Sequence, residues 1–489
     1  MNTLRFLFNH PAGKGIFILI WLIMFGLLLH RDYFVRTIDT REASALDRAR
    51  RIEYQGIYFN DNKIGYVENH FIPDEKNNLV VRQKAVMNIN ISGQTHPIDL
   101  DLEALLDPED KLKQFSFDFS SPFYQMTATG IVEGNRVSFT LDTGNSVIKD
   151  EVLLDDAPML STSRRSFLLS QGIEEGEKVR VPWFDPLSLT AKESLIEYRG
   201  KKRVLIHDRV YNLHRFTELF AGTRVNSWLD DEGNVIKEES PAGFVFIREP
   251  EFKAKQLDEK SSDLLSAVSV KIHGVMPDLK SRKSMRYRLT LPAQGDFDLV
   301  GGRQRFSGNI LTVTREELPI ALNNDTATCS ETGSSLQSSP YIQSESADII
   351  DKSLQISAGL QSSFQKVEAI ADWVYQTLEK RPVIGIPDAL TTLKSGIGDC
   401  NEHASLFAAL ARAAGIPTKI AAGVVYHKGA FYYHAWNEVC ISGQWISLDT
   451  TTNQLPADLS HLKFVEGELQ EQIRIGSLLN VLEIEPIAD

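Results

Sequence analysis

The sequence predicts an α+β protein: an N-terminal apolar helix, a long antiparallel β region, and a C-terminal unit that mixes helices with strands. Three observations predict it. Gly15 to His30 is an apolar run without a charged residue. From about residue 52 to residue 320, short apolar runs alternate with polar residues at period two and are broken by turn residues, as half-buried strands require. From residue 347 apolar residues recur at helical spacing, and three strand-like runs follow.

The bulk numbers agree with an ordinary globular chain. Its 489 residues are 42% hydrophobic and 24% charged, which suggests about two to four domains and rules out a wholly disordered, collagen-like or polytopic membrane chain. The 52 basic and 65 acidic side chains leave a formal charge of −13, so no nucleic-acid partner is expected. Three cysteines cannot make a disulfide framework; they leave one bridge at most, or a thiol kept for its chemistry.

Lys14 and Arg31 bound the apolar run. Sixteen helical residues rise roughly 24 Å, short of a ~30 Å hydrocarbon core, and snorkelling of the two flanking cations covers part of the deficit. The run ends without a small-x-small cleavage site, so it reads as an uncleaved signal anchor over 15–30. Arg31, Arg36 and Arg41 follow it, so the Lys/Arg rule alone does not place residues 1–14 in the cytoplasm. A short basic segment before the first apolar run favours that orientation, and long following domains translocate largely regardless of charge. The expected location is therefore that of a single-pass membrane protein with its body outside the cytoplasm.

Residues 31–51 carry interspersed Arg, Asp, Glu and Ala and are expected to form a stalk. Residues 52–255 are expected to form a curved or partly closed antiparallel sheet, with hairpin breaks at Asn60-Asp61-Asn62-Lys63, Glu133-Gly134 and Asp231-Glu232-Gly233 and one short helix near Leu168. Residues 256–320 read as a second, small β unit. Residues 321–346, dense in Ser, Thr and Asn, have linker composition, and Cys329 within them reads as an incidental exposed thiol, with a bridge to another cysteine as the alternative. Residues 347–489 form the last domain. Ile349-Ile350, Leu354 and Leu360 mark one helix, and Val367, Ile370, Trp373-Val374 and Leu378 a second that Pro382 ends.

The chemistry concentrates in residues 398–454. Ala404 to Ala414 is a strong helix that Gly415-Ile416-Pro417 stops, and Gly398-Asp399 has helix-start chemistry. Cys400 therefore falls at the first turn, where unpaired N–H groups and the positive end of the dipole favour a thiolate. His434 lies within the second of the strand runs that follow and Asp449 at the end of the third. Adjacent antiparallel strands would turn both to one side, with the Cys400 helix across that face. Thiol, imidazole and carboxylate would then stand as nucleophile, base and orienter. His403 and His427 are read as packing histidines, and Cys440 as an interior strand thiol. Cys400, His403, His427, His434 and Cys440 lack paired metal-ligand spacing, so neither a metal nor any other cofactor is expected.

The blocks Gly398-Asp399-Cys400, His403-Ala404, residues 409–417, His434-Ala435-Trp436-Asn437-Glu438-Val439 and Trp445-Ile446-Ser447-Leu448-Asp449 resemble the core of the transglutaminase-like, papain-related cysteine superfamily. The resemblance covers roughly residues 340–465. It implies a papain-like, transglutaminase-like α+β core with Cys400 as nucleophile, His434 as base and Asp449 as orienting acid. The whole chain is more weakly similar to bacterial membrane-anchored proteins with a β-rich region before such a core. Where the family usually continues Asp-Pro-Thr, this chain has Asp449-Thr450-Thr451, and no oxyanion donor beyond the Cys400 backbone N–H is legible. The expected function is a cysteine hydrolase or acyltransferase that passes a thioester from peptide or protein amides, plausibly of the cell envelope, to water (peptidase or amidase) or to an amine (transglutaminase). The alternative is a catalytically silent peptide-binding or scaffold protein.

Overall fold

The computed structural model describes residues 52–487, apart from residues 77, 164, 166, 171–172, 187, 221–222, 241, 258–261, 293–294, 319–328 and 330–332. The expected anchor at 15–30, the stalk at 31–51 and the first part of the 321–346 linker lie outside the described residues. Among the described residues no helix is long and apolar enough to cross a membrane.

Two β-meanders make one 15-stranded sheet. The first runs through β1 (Ile52–Phe59), β2 (Asn62–Pro73), β3 (Leu79–Ile91), β4 (Gln94–Leu106), β5 (Leu112–Ser121), β6 (Tyr124–Glu133), β7 (Arg136–Asp142) and β8 (Val147–Leu153). After β9 (Met159–Leu160), the second runs through β10 (Lys178–Asp185), which β9 joins in parallel, then β11 (Thr190–Ile206), β12 (Arg209–Phe220), β13 (Thr223–Leu229), β14 (Val235–Glu239) and β15 (Phe244–Glu249). They join where β1 pairs antiparallel with β15. The alternation read from sequence is seen residue by residue in β6, whose side chains are buried and exposed in strict turn. The β1–β2 turn needs left-handed backbone, and Asn60 and Asp61 supply it at φ 47° and 62°. The sheet curls on itself: Lys111, just before β5, bridges Met159 of β9, and the rings of Phe115 and Phe184 lie 5.0 Å apart in the shared core. Phe115 lies over its cross-strand partner Gly130, where an added Cβ would meet the ring at 2.1 Å.

The strands after residue 255 do not close into a unit of their own. β16 (Val270–Lys271) is followed by β17 (Ser284–Thr290), β18 (Gln304–Ser307) and β19 (Ile310–Thr314). β17 pairs on one edge with β19 and on the other with the C-terminal strand Glu483–Ile487, and β16 pairs with Ala430 and Phe431. The 256–320 segment is thus built into the C-terminal domain, which corrects its reading as a separate small β unit. Period-two patterning reveals a strand but not its partner, and the partner here lies about 200 residues downstream.

That domain layers helices α1 (Ala347–Ile356), α2 (Ser363–Thr377), α3 (Ala389–Ser395) and α4 (Cys400–Ala413) on a sheet. The short pair β20 (Glu379–Lys380) and β21 (Ile397–Gly398) brackets α3. The sheet consists of β22 (Thr418–His427), β23 (Ala430–Ile441), β24 (Gln444–Leu448) and β25 (Leu462–Glu466) with β16 at its edge, and the C-terminal strand is β26 (Glu483–Ile487). One apolar core lies between α4 and the β22–β24 face; a second joins β22, β23 and β25 to the β17–β19–β26 sheet. The end of the Ser-rich linker packs as well, with Ile342 fully buried in the helical core.

The large sheet docks on this domain just ahead of Cys400. Thr143 Oγ1 lies 2.7 Å from Thr391 Oγ1, Ser146 Oγ donates to Asp388 Oδ1 at 3.1 Å, and Ser121 Oγ donates to the Ile384 carbonyl at 3.0 Å. Gly385 admits the Tyr124 ring, which a Cβ would meet at 2.3 Å.

Candidate active site

Cys400 is the first residue of α4. Asp399 caps the helix by accepting from the Asn401 N–H at 3.0 Å, and Glu402 Oε2 accepts from the Asp399 N–H at 2.9 Å, a reciprocal capping box. From Glu402 to Arg412 the helix is buried throughout. Asn437 of β23 donates to the Ala404 carbonyl at 3.0 Å and ties the helix start to the strand. Cys400 itself is half-buried, and the backbone N–H of Ala435, the residue after His434, bonds to its sulfur.

His434 sits in a gap along one edge of β23. β16 covers that edge at Ala430 and Phe431, and β24 covers it from Asn437 onward. As expected, β23 and β24 are antiparallel neighbours, and β24 ends beside the gap. His434 Nε2 donates to Asp449 Oδ2 at 3.0 Å, which leaves Nδ1 as the ring nitrogen free to exchange a proton with a neighbouring thiol. Asp449 is buried. Its Oδ1 accepts from the Thr451 N–H at 2.8 Å, and Thr452 Oγ1 donates to Oδ2 at 2.5 Å. Thr451 and Thr452, just past the Thr450 that stands in place of the family's proline, thus hold the carboxylate.

The charge state of the thiol differs from expectation. Burial pushes the Cys400 thiol well above its ordinary range, and the negative charges of Asp399, Glu402 and Asp449 push the same way, against the Ala435 N–H. A helix start alone favours a thiolate; here desolvation and the surrounding carboxylates oppose the dipole and favour the neutral thiol. Burial, then Asp399, also raises the Glu402 carboxyl well above the carboxylate range. Burial lowers His403, which donates from Nδ1 to the Asp399 carbonyl at 2.7 Å and so holds the helix start, consistent with a packing role. His427 sits at the β22–β23 turn against Tyr432, away from the cluster.

Two further residues join the site that sequence reading did not select. His461, at the start of the segment leading into β25, directs Nε2 to Asp449 Oδ2 at 3.2 Å and Nδ1 to Asp458 Oδ1 at 3.0 Å. Nothing in the linear pattern marks His461, twelve residues past Asp449. His434, Asp449 and His461 bring their ligand atoms within 4.8 Å of one another, so this trio is where the described residues could hold a metal ion. Each of these atoms is already engaged in a hydrogen bond within the trio. Cys440 offers no free sulfur for metal, because it forms a disulfide with Cys329 across 111 residues. The bridge corrects the reading of Cys329 as an exposed thiol and of Cys440 as an unpaired one: both are buried, and the linker is fastened to the strand that carries His434. Cys400 is then the free cysteine of the chain.

With this geometry in place the comparisons are specific. Residues 351–450 match the transglutaminase-like superfamily. The match takes in α2, α3, α4 and β22–β24, and with them Cys400, His434 and Asp449. No curated protein matches the chain. Among solved structures, a candidate cysteine protease from Cytophaga hutchinsonii is 20% identical, with 41% of this chain and 83% of that one covered and a TM-score of 0.28. A β-barrel-like protein of unknown function from Brucella abortus is 12% identical, covering 41% and 96%, at a TM-score of 0.32. A candidate protease from Parabacteroides distasonis is 11% identical, covering 71% and 68%, at 0.21. The chain is thus a β-rich protein with a transglutaminase-like core.

Proposed function

We propose that the C-terminal domain is a cysteine acyl-transfer enzyme acting on peptide or protein amides, with Cys400 as nucleophile, His434 as base and Asp449 as the residue that orients it. The observation that carries the reading is the 3.0 Å hydrogen bond from His434 Nε2 to a buried Asp449, on the strand whose Ala435 N–H meets the Cys400 sulfur. His434 Nδ1 takes the thiol proton as sulfur attacks the amide carbon, then gives it to the departing amine. The thioester left on Cys400 passes its acyl group to water or to an amine, and Cys400 is regenerated. Desolvation favours the neutral thiol at rest, so the reaction relies on His434 as a base rather than on a standing thiolate.

We place this domain outside the cytoplasm, on a chain held in the inner membrane by residues 15–30, where cell-envelope peptides are the available amides. The Cys329–Cys440 bridge supports this, since such disulfides persist in oxidising compartments. Replacing Ile20 and Leu27 by Arg should release the protein from carbonate-washed membranes or block its export; unchanged retention counts against the anchor.

The test of the chemistry uses the oxidised protein, in which iodoacetamide reports on Cys400 alone. His434→Ala is expected to slow alkylation near neutral pH by about tenfold or more, on the scale of general-base contributions. Alkylation at the rate of a free thiol and indifferent to His434→Ala would favour the scaffold reading.

A further inference from the structure

His461 is buried between two carboxylates, with one ring nitrogen on each. Asp449 and Asp458 are both held below the ordinary carboxylate range: burial opposes this, but the hydrogen bonds from His434 and His461 to Asp449, and from His461 and Ser460 to Asp458, outweigh it. A neutral imidazole has a single N–H, so it could satisfy one ionised carboxylate and would turn a lone pair on the other. Two ionised partners therefore require an imidazolium.

We propose that His461 is a positioning residue of this site: a buried imidazolium, clamped between Asp449 and Asp458, that aims the Asp449 carboxylate at His434 and sets the pH range in which Cys400 reacts. The proposal rests on the acyl-transfer reading above. The clamp is itself braced. Asp458 Oδ1 also accepts from the Ser460 N–H at 2.8 Å and Ser460 Oγ at 2.6 Å, and Arg303, from the start of β18, donates to the Asp458 carbonyl. The His461 ring packs edge-on against Trp436 with centroids 5.2 Å apart, and 5.9 Å from the His434 ring. The charged and titratable groups facing it are thus Asp449, Asp458 and His434, with Arg303 behind Asp458 and with Cys400 and His403 across Asp449.

The consequence follows from charge. Asp449 opposes an anion on Cys400. A fixed cation on the far side of Asp449 cancels part of that field. Removing it favours the protonated form of Cys400, so reactivity should need higher pH. At roughly 6–8 Å and an effective dielectric near 20, one full charge is worth about 1.5–2 pH units, which screening by solvent and salt brings towards one.

His461→Gln keeps a donor towards Asp449 and loses the charge; His461→Ala loses both. In folded, oxidised protein the iodoacetamide rate profile of His461→Gln is expected to move to higher pH by about one unit, and His461→Ala is expected to lose a further several-fold in maximal rate. A His461→Gln profile that superimposes on wild type overturns the proposal. In 15N-histidine NMR, the Trp436-contacting histidine that remains in His434→Ala is His461; it should carry two N–H protons at pH 7, and a single neutral tautomer at pH 6 overturns the proposal. If His434→Ala shifts the profile and His461→Gln does not, this inference fails alone. If neither changes Cys400, the acyl-transfer reading fails and takes the inference with it.

Discussion

Asp399 does two things to the residue that follows it. Its side chain accepts from the Asn401 N–H and starts α4, while its negative charge is, after burial, the largest influence raising the Cys400 thiol. The two roles separate in Asp399→Asn, which keeps an N-cap acceptor and drops the charge. The sign follows from the direction of the shift. Less negative charge beside the sulfur lowers its pKa, so the iodoacetamide profile of Asp399→Asn should move to lower pH, opposite to His461→Gln. Asp399→Ala should make the same move and lose about 1 kcal/mol of stability through the missing cap, read as a lower Tm. The thiol was legible in sequence from its helix-start context. The upward push on it was less legible: Asp399 and Glu402 are local, but burial beneath β23 and the approach of Asp449 come from elements 35 and more residues away.

At the scale of elements, the informative case is β17. Its period-two pattern of buried Met285, Tyr287 and Leu289 identifies a strand correctly, but the strand is sandwiched between β19 and the C-terminal β26. Ile484 of β26 is fully buried in the shared core. Ile484→Ala should therefore cost about 2–5 kcal/mol of the stability of the C-terminal domain, measured by denaturant unfolding, although it lies far from the helices that carry the site. A fragment spanning 52–255 should unfold cooperatively, since both meanders lie within it and, of the described residues in their shared buried core, only Tyr341 and Ile386 come from outside. Extending it to residue 320 should add no protected amides in β16 or on the β26-facing edge of β17, whose partners β23 and β26 are then missing. Protection of those amides in the longer fragment would restore the 256–320 segment as an independent unit.

For the whole molecule, the Cys329–Cys440 bridge and the docking face at Thr143, Ser146 and Asp388 connect parts that composition alone separates. A loop of 111 residues is closed by the bridge, so its reduction should lower the Tm of the C-terminal domain, with a loss of about 2–4 kcal/mol. It should do so without abolishing Cys400 alkylation, since neither bridged cysteine touches the His434–Asp449 pair. An unchanged Tm under reductant would mean that the linker adds nothing to the domain.

What the sequence determined by itself is whatever is written locally. Cys400 at a capped helix start, His434 in a strand and Asp449 at the next strand's end follow from turn chemistry and periodicity over about fifty residues, and so does the antiparallel character of residues 52–255. Tertiary structure decided the rest. Two halves of a curled sheet meet at Phe115 and Phe184, β17 finds β26, Cys329 finds Cys440, and His461 reaches the far side of Asp449. These contacts join residues whose separation leaves no periodic trace, and their energies depend on burial and field, which exist only once the chain has folded. The same physics pushes towards the neutral thiol at a helix terminus that, in isolation, would favour the anion.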